Sequence, residues 1–290
     1  MMKTLYRFIP VGLRERAAFV LRAGYYPQFK NPVTYNQKVN YRKLNWKNSL
    51  FVTCSDKVAV KEYVAEIIGK EYIIESVFVG DTITPEQAKQ LLEVYGPLVI
   101  KANHNSGPVQ FLDPADNDER IHHICRNINQ QLLENYGKIK QEPWYSHIKP
   151  KVLVERKLRM ADGSDPYDYK FHVFNGRDGK KQTVILQMDY DRHGMLHRSF
   201  FNESLEWLPF SWKQPCLKTS AVCPAGYDRM LEIAKLLALP FSHARVDLYN
   251  VDGAIYFGEI TFAHASGRGR FSSIIYDKWM GKLWELDPAV

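Results

Sequence analysis

Residues 244–261 read Ala-Arg-Val-Asp-Leu-Tyr-Asn-Val-Asp-Gly-Ala-Ile-Tyr-Phe-Gly-Glu-Ile-Thr. Two alternating runs flank Val251-Asp252-Gly253, the pattern of a β-hairpin closed by a tight turn. With a period of two, Arg245, Asp247 and Tyr249 share one face of the first strand, and Phe257, Glu259 and Thr261 share one face of the second. A register that sets Asp247 opposite Glu259 puts two carboxylates side by side, which repel. Either Arg245 or a divalent cation must compensate them. Two carboxylates completed by phosphate oxygens and water suit magnesium. A salt-bridged surface hairpin would carry the same charges, but the apolar residues between them argue for partial burial.

Upstream of this hairpin the periodicities alternate between helix and strand. Helical spacing is expected over 13–22, 34–46, 56–68 (with Ser55 as N-cap and Gly69 as stop), 84–95 (Thr84 cap, Pro85 first), 118–136 and 227–237, and in the tail 276–286. Strands are expected over 72–79, 98–102, 109–112, 151–155, 169–175 and 182–190, the last two joined by a turn around Gly176 and Gly179. Residues 200–218, rich in Trp, Phe and Pro, read as a long ordered loop. The expected class is α+β: a helical region over 1–75, a small α+β unit over 76–157 and a larger β-rich unit over 158–290. A crevice between two such units is a favoured ligand site.

The formal charge of +7 fits either simple solubility or a polyanionic partner such as ATP phosphates, an acidic sugar or a membrane leaflet. No basic helix, aromatic RNA-binding strand or zinc-finger spacing points to nucleic acid. No apolar run reaches the roughly 18 residues that span a bilayer. Arg7, Arg14, Arg16 and Arg22 break up the N-terminal apolar stretch, which excludes a signal peptide. Residues 13–22 read as an amphipathic helix, basic on one side, suited to packing or to a membrane surface. The four cysteines are scattered, with no CxxC pair, which points to a reducing, cytoplasmic compartment rather than a zinc site or a disulfide framework.

The hairpin resembles the C-terminal hairpin of ATP-grasp enzymes, where an Arg-x-Asp strand precedes a Glu-x-Asn strand. The resemblance implies that Asp247 and Glu259 hold magnesium on ATP, that Arg245 supports the transferred phosphoryl group, and that Thr261 stands where the family has Asn. Further segments follow the family in order. Asp56-Lys57 opens a helix whose lysine reaches phosphates. Lys101 ends a buried strand and precedes Asn103-His-Asn-Ser-Gly107, which resembles the phosphate lysine and lid loop, with His104, Ser106 and Gly107 near the phosphates. Val152-Leu-Val-Glu155 resembles the hinge strand that reads adenine, with Lys157 just beyond it. Asp168-Tyr-Lys170 resembles the segment near ribose or phosphates. Pro32-x-Thr34, Lys38, Ser55-Asp-Lys57, Lys101–Gly107, Asp168–Phe171 and Phe257–Phe262 together resemble the TupA-like ATP-grasp family. The resemblance spans 32–286, and Asn105 replaces a Gly common there.

That family is associated with teichuronopeptide and bacterial surface-polysaccharide biosynthesis. The resemblance implies an ATP-grasp fold, with ATP in the crevice between two α+β subdomains behind a helical N-terminal segment. It implies a cytoplasmic enzyme, at most peripheral to the inner membrane face, using ATP and Mg2+. The reaction joins an amino acid to the uronic acid carboxylate of a capsule or O-antigen repeat, whether free or carried on lipid. His264, Ser266, Gly267 and Arg192 are the expected substrate contacts. Arg198, Arg268 and Arg270 read either as further anion binders or as solvated surface charge, and the aromatic residues of 200–212 either as a stacking surface for sugar or as ordinary core and loop packing. Two other functions use the same fold: a sugar kinase on the same Mg–ATP site, or a non-catalytic carbohydrate-binding protein. A glycosyltransferase lacks its DxD signature here.

Overall fold

The computed structural model describes residues 10–176, 181–190 and 195–286. The hairpin forms as the sequence indicates, from β9 (His243–Val251) and β10 (Ala254–Thr261). Asp247 pairs with Glu259 and Arg245 with Thr261. A bulge between Phe257 and Glu259, at Gly258, sets Phe257 opposite Leu248. It breaks the simple alternation that would have put Phe257 and Glu259 in one row. Gly258 suits the bulge because a Cβ there would come 3.0 Å from the Asp247 carbonyl oxygen.

β9 is also paired with β5 (Asp168–Phe174), which sets Lys170 beside Asp247 and His172 beside Arg245. β6 (Thr183–Tyr190), β7 (His197–Phe201) and the two-residue β8 (Trp207–Leu208) complete an antiparallel sheet of six strands in the order β10-β9-β5-β6-β7-β8. Every residue of β5 is buried. α8 (Tyr227–Ala238) covers the sheet through Met230, Ile233 and Leu237. α4 (Ala59–Ile68) packs beside it, α3 (Leu50–Ser55) sends Phe51 against Phe241 and Phe262, and α2 (Tyr35–Asn45) lies on the opposite face of the sheet, where Tyr35 meets His172 and Phe174. α1 (Val11–Ala23) precedes them and α9 (Ile274–Lys282) ends the described chain.

The smaller sheet has the order β1-β4-β2-β3, from β1 (Ser76–Gly80), β2 (Leu98–Ala102), β3 (Gln110–Leu112) and β4 (Val152–Arg156). α5 (Pro85–Tyr95) and α6 (Asp118–Gln131) close a separate apolar cluster against it. Thr84 and Gln87 cap α5 reciprocally, with Pro85 in the first turn, which satisfies two of its orphan N–H groups. The expected helix 118–136 is split, because Asn135 accepts from Lys138 N–H and starts α7 (Tyr136–Lys140).

The expected helix 56–68 begins three residues late, at Ala59, and Ser55 ends the preceding helix instead of capping this one. α3 already ends at Ser55, and Asp56 turns its Oδ1 to Val58 N–H (2.8 Å) and to Asn103 Nδ2 (2.8 Å). The break lets Lys57 leave the helix path toward the β2–β3 loop. Beyond β7 the aromatic stretch is irregular apart from β8, as expected of a loop, but its rings lie in the core. Phe200, Phe210 and Trp212 are buried, and Phe200 stacks on Phe210 at 4.4 Å. Those three rings therefore present no face to a sugar. Arg198 and Arg268 are committed to internal ion pairs, with Asp189 and Glu15 respectively.

Candidate active site

A cleft of about 280 Å³ opens between the two sheets. The small sheet contributes Val99, Lys101 and Glu155, the large sheet Asp168, Lys170, Asp247, Tyr249 and Glu259, and α4 with its approach Lys57 and Lys61. Ile73, Ile74, Phe111 and Phe257 add apolar wall. Apolar walls with a few converging charges suit a ligand with a flat ring and an anionic tail.

Arg245 resolves the carboxylate pair. Its Nε and Nη2 donate to Asp247 Oδ1 and Oδ2, both at 2.7 Å, and Nη2 also donates to Glu259 Oε1 at 2.6 Å. Nη1 meets His264 Nδ1. A planar guanidinium is the residue suited to such a fork. Lys170 reaches Asp168 and, at 3.2 Å, Asp247. Burial pushes Asp247 up, to about 6, against the pull of Arg245 and Lys170. Burial would raise Glu259 too, but Arg245, Lys57 and Lys170 outweigh it and hold that carboxyl below its usual range. Glu259 uses only Oε1 in its contacts with Arg245 and Thr261 Oγ1 (3.0 Å), and its side chain is 37% exposed on the cleft wall.

Across the cleft, Glu155 is held by Lys61 through Oε1 and by Lys101 through Oε2. These two lysines outweigh its burial and keep it ionised. The side chain expected to read adenine is thus engaged in an ion triad. Lys61 is a residue that sequence reading missed. Its signal was a second lysine in the first turn of the helix that follows Asp56-Lys57. Lys57 donates to the carbonyls of Ala102 and Asn105, and burial lowers it to about 8. Lys157 lines the cleft, 3.0 Å from Asp165 and over the Phe111 ring.

The remaining expected residues lie away from this wall. His104 is buried, with Nε2 3.1 Å from the Glu134 carbonyl. Ser106 is exposed, and Gly107 N–H donates to Asn105 Oδ1. His264, Ser266 and Gly267 form the turn behind β10. Ala265, Ser266 and Gly267 all have positive φ there (49°, 54° and 64°), strain of the kind that surrounding contacts must sustain. Ser266 Oγ bonds Glu142 Oε1 (2.7 Å), and Lys43 bonds both Ser266 and Glu15. Arg192 lies outside the described residues. Among the described residues, no group of three or more His, Cys, Asp or Glu side chains forms a metal cage. Asp247 and Glu259 offer a pair, the donor set magnesium accepts when phosphate oxygens and water supply the rest.

Two antiparallel sheets clasp a cleft in an α+β architecture, with lysines on one wall and an Arg-bridged Asp–Glu pair on the other. The model for TupA-like ATP-grasp proteins matches residues 37–285, and the chain belongs to that family and has its ATP-grasp fold. No curated protein matches it. Among solved structures, the chain is similar to D-alanine–D-alanine ligase from Helicobacter pylori (13% identity, 78% of this chain and 61% of that one, TM-score 0.45). It is also similar to D-alanyl-alanine synthetase A from Vibrio cholerae (10%, 72% and 56%, TM-score 0.43). The ATP-grasp ligase PsnB, complexed with a variant precursor, Mg and ADP, matches at 11% identity (88% and 62%, TM-score 0.39). The chain spans under two thirds of the length of each.

Proposed function

We propose that the chain is an ATP-dependent carboxylate–amine ligase. The observation that carries this reading is the Asp247–Glu259 pair, bridged by Arg245 and facing Lys57, Lys61 and Lys101 across one cleft. A carboxylate oxygen of the substrate attacks the γ-phosphorus of ATP, ADP departs, and an acyl phosphate forms. An amine nitrogen then attacks the acyl carbon, inorganic phosphate leaves with the C–O bond electrons, and the nitrogen loses a proton. Such chemistry asks little covalent work of the protein and depends on positioning and on neutralising charge. Lys101 and Lys57 offset charge on the phosphates, and Arg245 orients the two carboxylates. Mg2+ held by Asp247 and Glu259 would screen the phosphate oxygens when bound.

The family association with surface polysaccharides supports a uronic acid as the carboxylate substrate and an amino acid as the amine. The test is calorimetry of ATP binding with and without magnesium, on wild type and Lys101→Ala, followed by ADP release with uronic acids and amino acids. Magnesium-dependent binding that weakens in the variant, with ADP release that requires the amine, is expected. Amine-independent ADP release with a phosphorylated sugar product identifies a kinase instead. Absence of ATP binding overturns both.

A further inference from the structure

The positive charge of the chain is unevenly placed. Residues 1–30 hold six Lys or Arg and one acidic residue, Glu15, a balance of +5 against +7 for all 290 residues. Glu15 is buried and paired with Lys43 and Arg268, so it offers nothing to offset the surface charge. α1 carries this segment. Phe19 and Ala23 pack inward against Phe29, whereas Leu13, Ala17, Val20 and Leu21, spaced as one helical face, are exposed. Leu13 is 57% and Leu21 85% exposed. The end of this helix is tied to α9, where Tyr25 Oη donates to Asp277 Oδ2 at 2.7 Å. α9 also exposes aliphatic and aromatic side chains, Ile275 (69%) and Trp279, while its own acidic residue, Asp277, is buried.

An outward apolar face on a helix whose accessible charges are all basic is what an interfacial helix presents to anionic lipid. An apolar protein partner would gain from the leucines but not from same-sign charge gathered around them. No helix among the described residues is long and apolar enough to cross a membrane, so the contact is with the surface. We propose that α1, with the exposed face of α9 beside it, docks the protein on an anionic lipid surface, with the leucines in the headgroup boundary and Arg16, Arg22 and Lys30 on lipid phosphates or carboxylates. Glu15 then links the docked helix to Arg268, just beyond the strained turn behind β10. This proposal rests on the two helices and holds whatever the cleft binds.

Vesicle flotation tests it, with phosphatidylserine–phosphatidylcholine vesicles against pure phosphatidylcholine. Wild type should float with the anionic vesicles only. Leu13→Asp/Leu21→Asp should stay in the dense fraction, with an unchanged melting curve because both side chains already face water. Arg16→Gln/Arg22→Gln/Lys30→Gln should bind about a hundredfold more weakly, from three basic contacts each contributing about a fivefold factor. No flotation of wild type, or flotation that survives the leucine substitutions, overturns the proposal. So does a wild-type dimer in sedimentation velocity that the leucine variant abolishes, since a second copy would then cover the face.

Discussion

Replacing Arg245 by Met tests whether the acidic hairpin is held by arginine. Met keeps most of the aliphatic volume but removes the three donor contacts to Asp247 and Glu259. Two cross-strand carboxylates then face each other, with Lys170 the remaining cation on Asp247. Stranding a buried charge by deleting its partner costs about 3–5 kcal/mol. With a urea slope of about 3 kcal/mol per molar, the unfolding midpoint should fall by roughly 1–2 M. Two controls separate charge from packing. Arg245→Met/Asp247→Asn should recover most of the loss, because the uncompensated charge goes with the arginine. Magnesium should stabilise Arg245→Met more than wild type, since a divalent cation does the arginine's electrostatic work there. Acidification from pH 7 to 5 should narrow the gap, because Asp247, already raised by burial, protonates more easily without its guanidinium. An Arg245→Met protein with the wild-type midpoint, insensitive to pH and magnesium, would refute the electrostatic account of the hairpin.

Two other expectations concern charge elsewhere in the site. Lys61→Met should weaken ATP binding about tenfold or more by calorimetry, since one charge-assisted contact of about 1.5–3 kcal/mol is displaced onto Lys101; unaltered affinity would show that Lys61 has no part in the cleft. The buried imidazoles of His172, His243 and His264 predict acid lability. Burial and then Arg245 lower His172 from 6.5 to about 3. Between those values the unfolded chain binds the extra proton, so stability rises with pH through the window and is lost on acidification, by on the order of 3–5 kcal/mol for His172. His172→Gln should flatten that slope in denaturant midpoints taken across the range, and an unchanged slope would place the acid sensitivity elsewhere.

The hairpin was legible because its information is local: alternation with a period of two, an Asp-Gly turn, and carboxylates whose register follows from the turn. The bulge at Gly258 was not. It depends on a backbone approach of 3.0 Å to Asp247, which alternation does not encode. The same contrast runs through the helices. Thr84 and Gln87 announce a cap three residues apart, and the cap is there. The break at Asp56 follows from a bond to Asn103, 47 positions away. The Glu15–Lys43–Arg268 network joins residues 28 and 253 positions apart, and no pattern in one sequence pairs them. The aromatic stretch stayed open between core and sugar site for a related reason: exposure is a tertiary property, and ring-rich segments fill cores as readily as they line sugar sites.

The distribution of cations in the cleft bears on how a polyanion enters it. Glu155, Asp168, Asp247 and Glu259 all have cationic partners already. A triphosphate therefore meets lysines that are neutralised rather than waiting, and binding has to exchange partners. Glu155 makes that exchange affordable. It carries two lysines, so Lys101 can turn to a phosphate while Lys61 keeps the buried carboxylate paired, and no charge is stranded. Lys57 faces a different constraint, because its contacts are backbone carbonyls of the β2–β3 loop. Its transfer to a phosphate would release those carbonyls, and the loop would be free to re-form over the ligand. In the proposed reaction Lys61 would hold Glu155 in place, and Lys57 would couple the loop to what occupies the cleft. The two proposed roles differ in whether the partner left behind is a charge or a carbonyl.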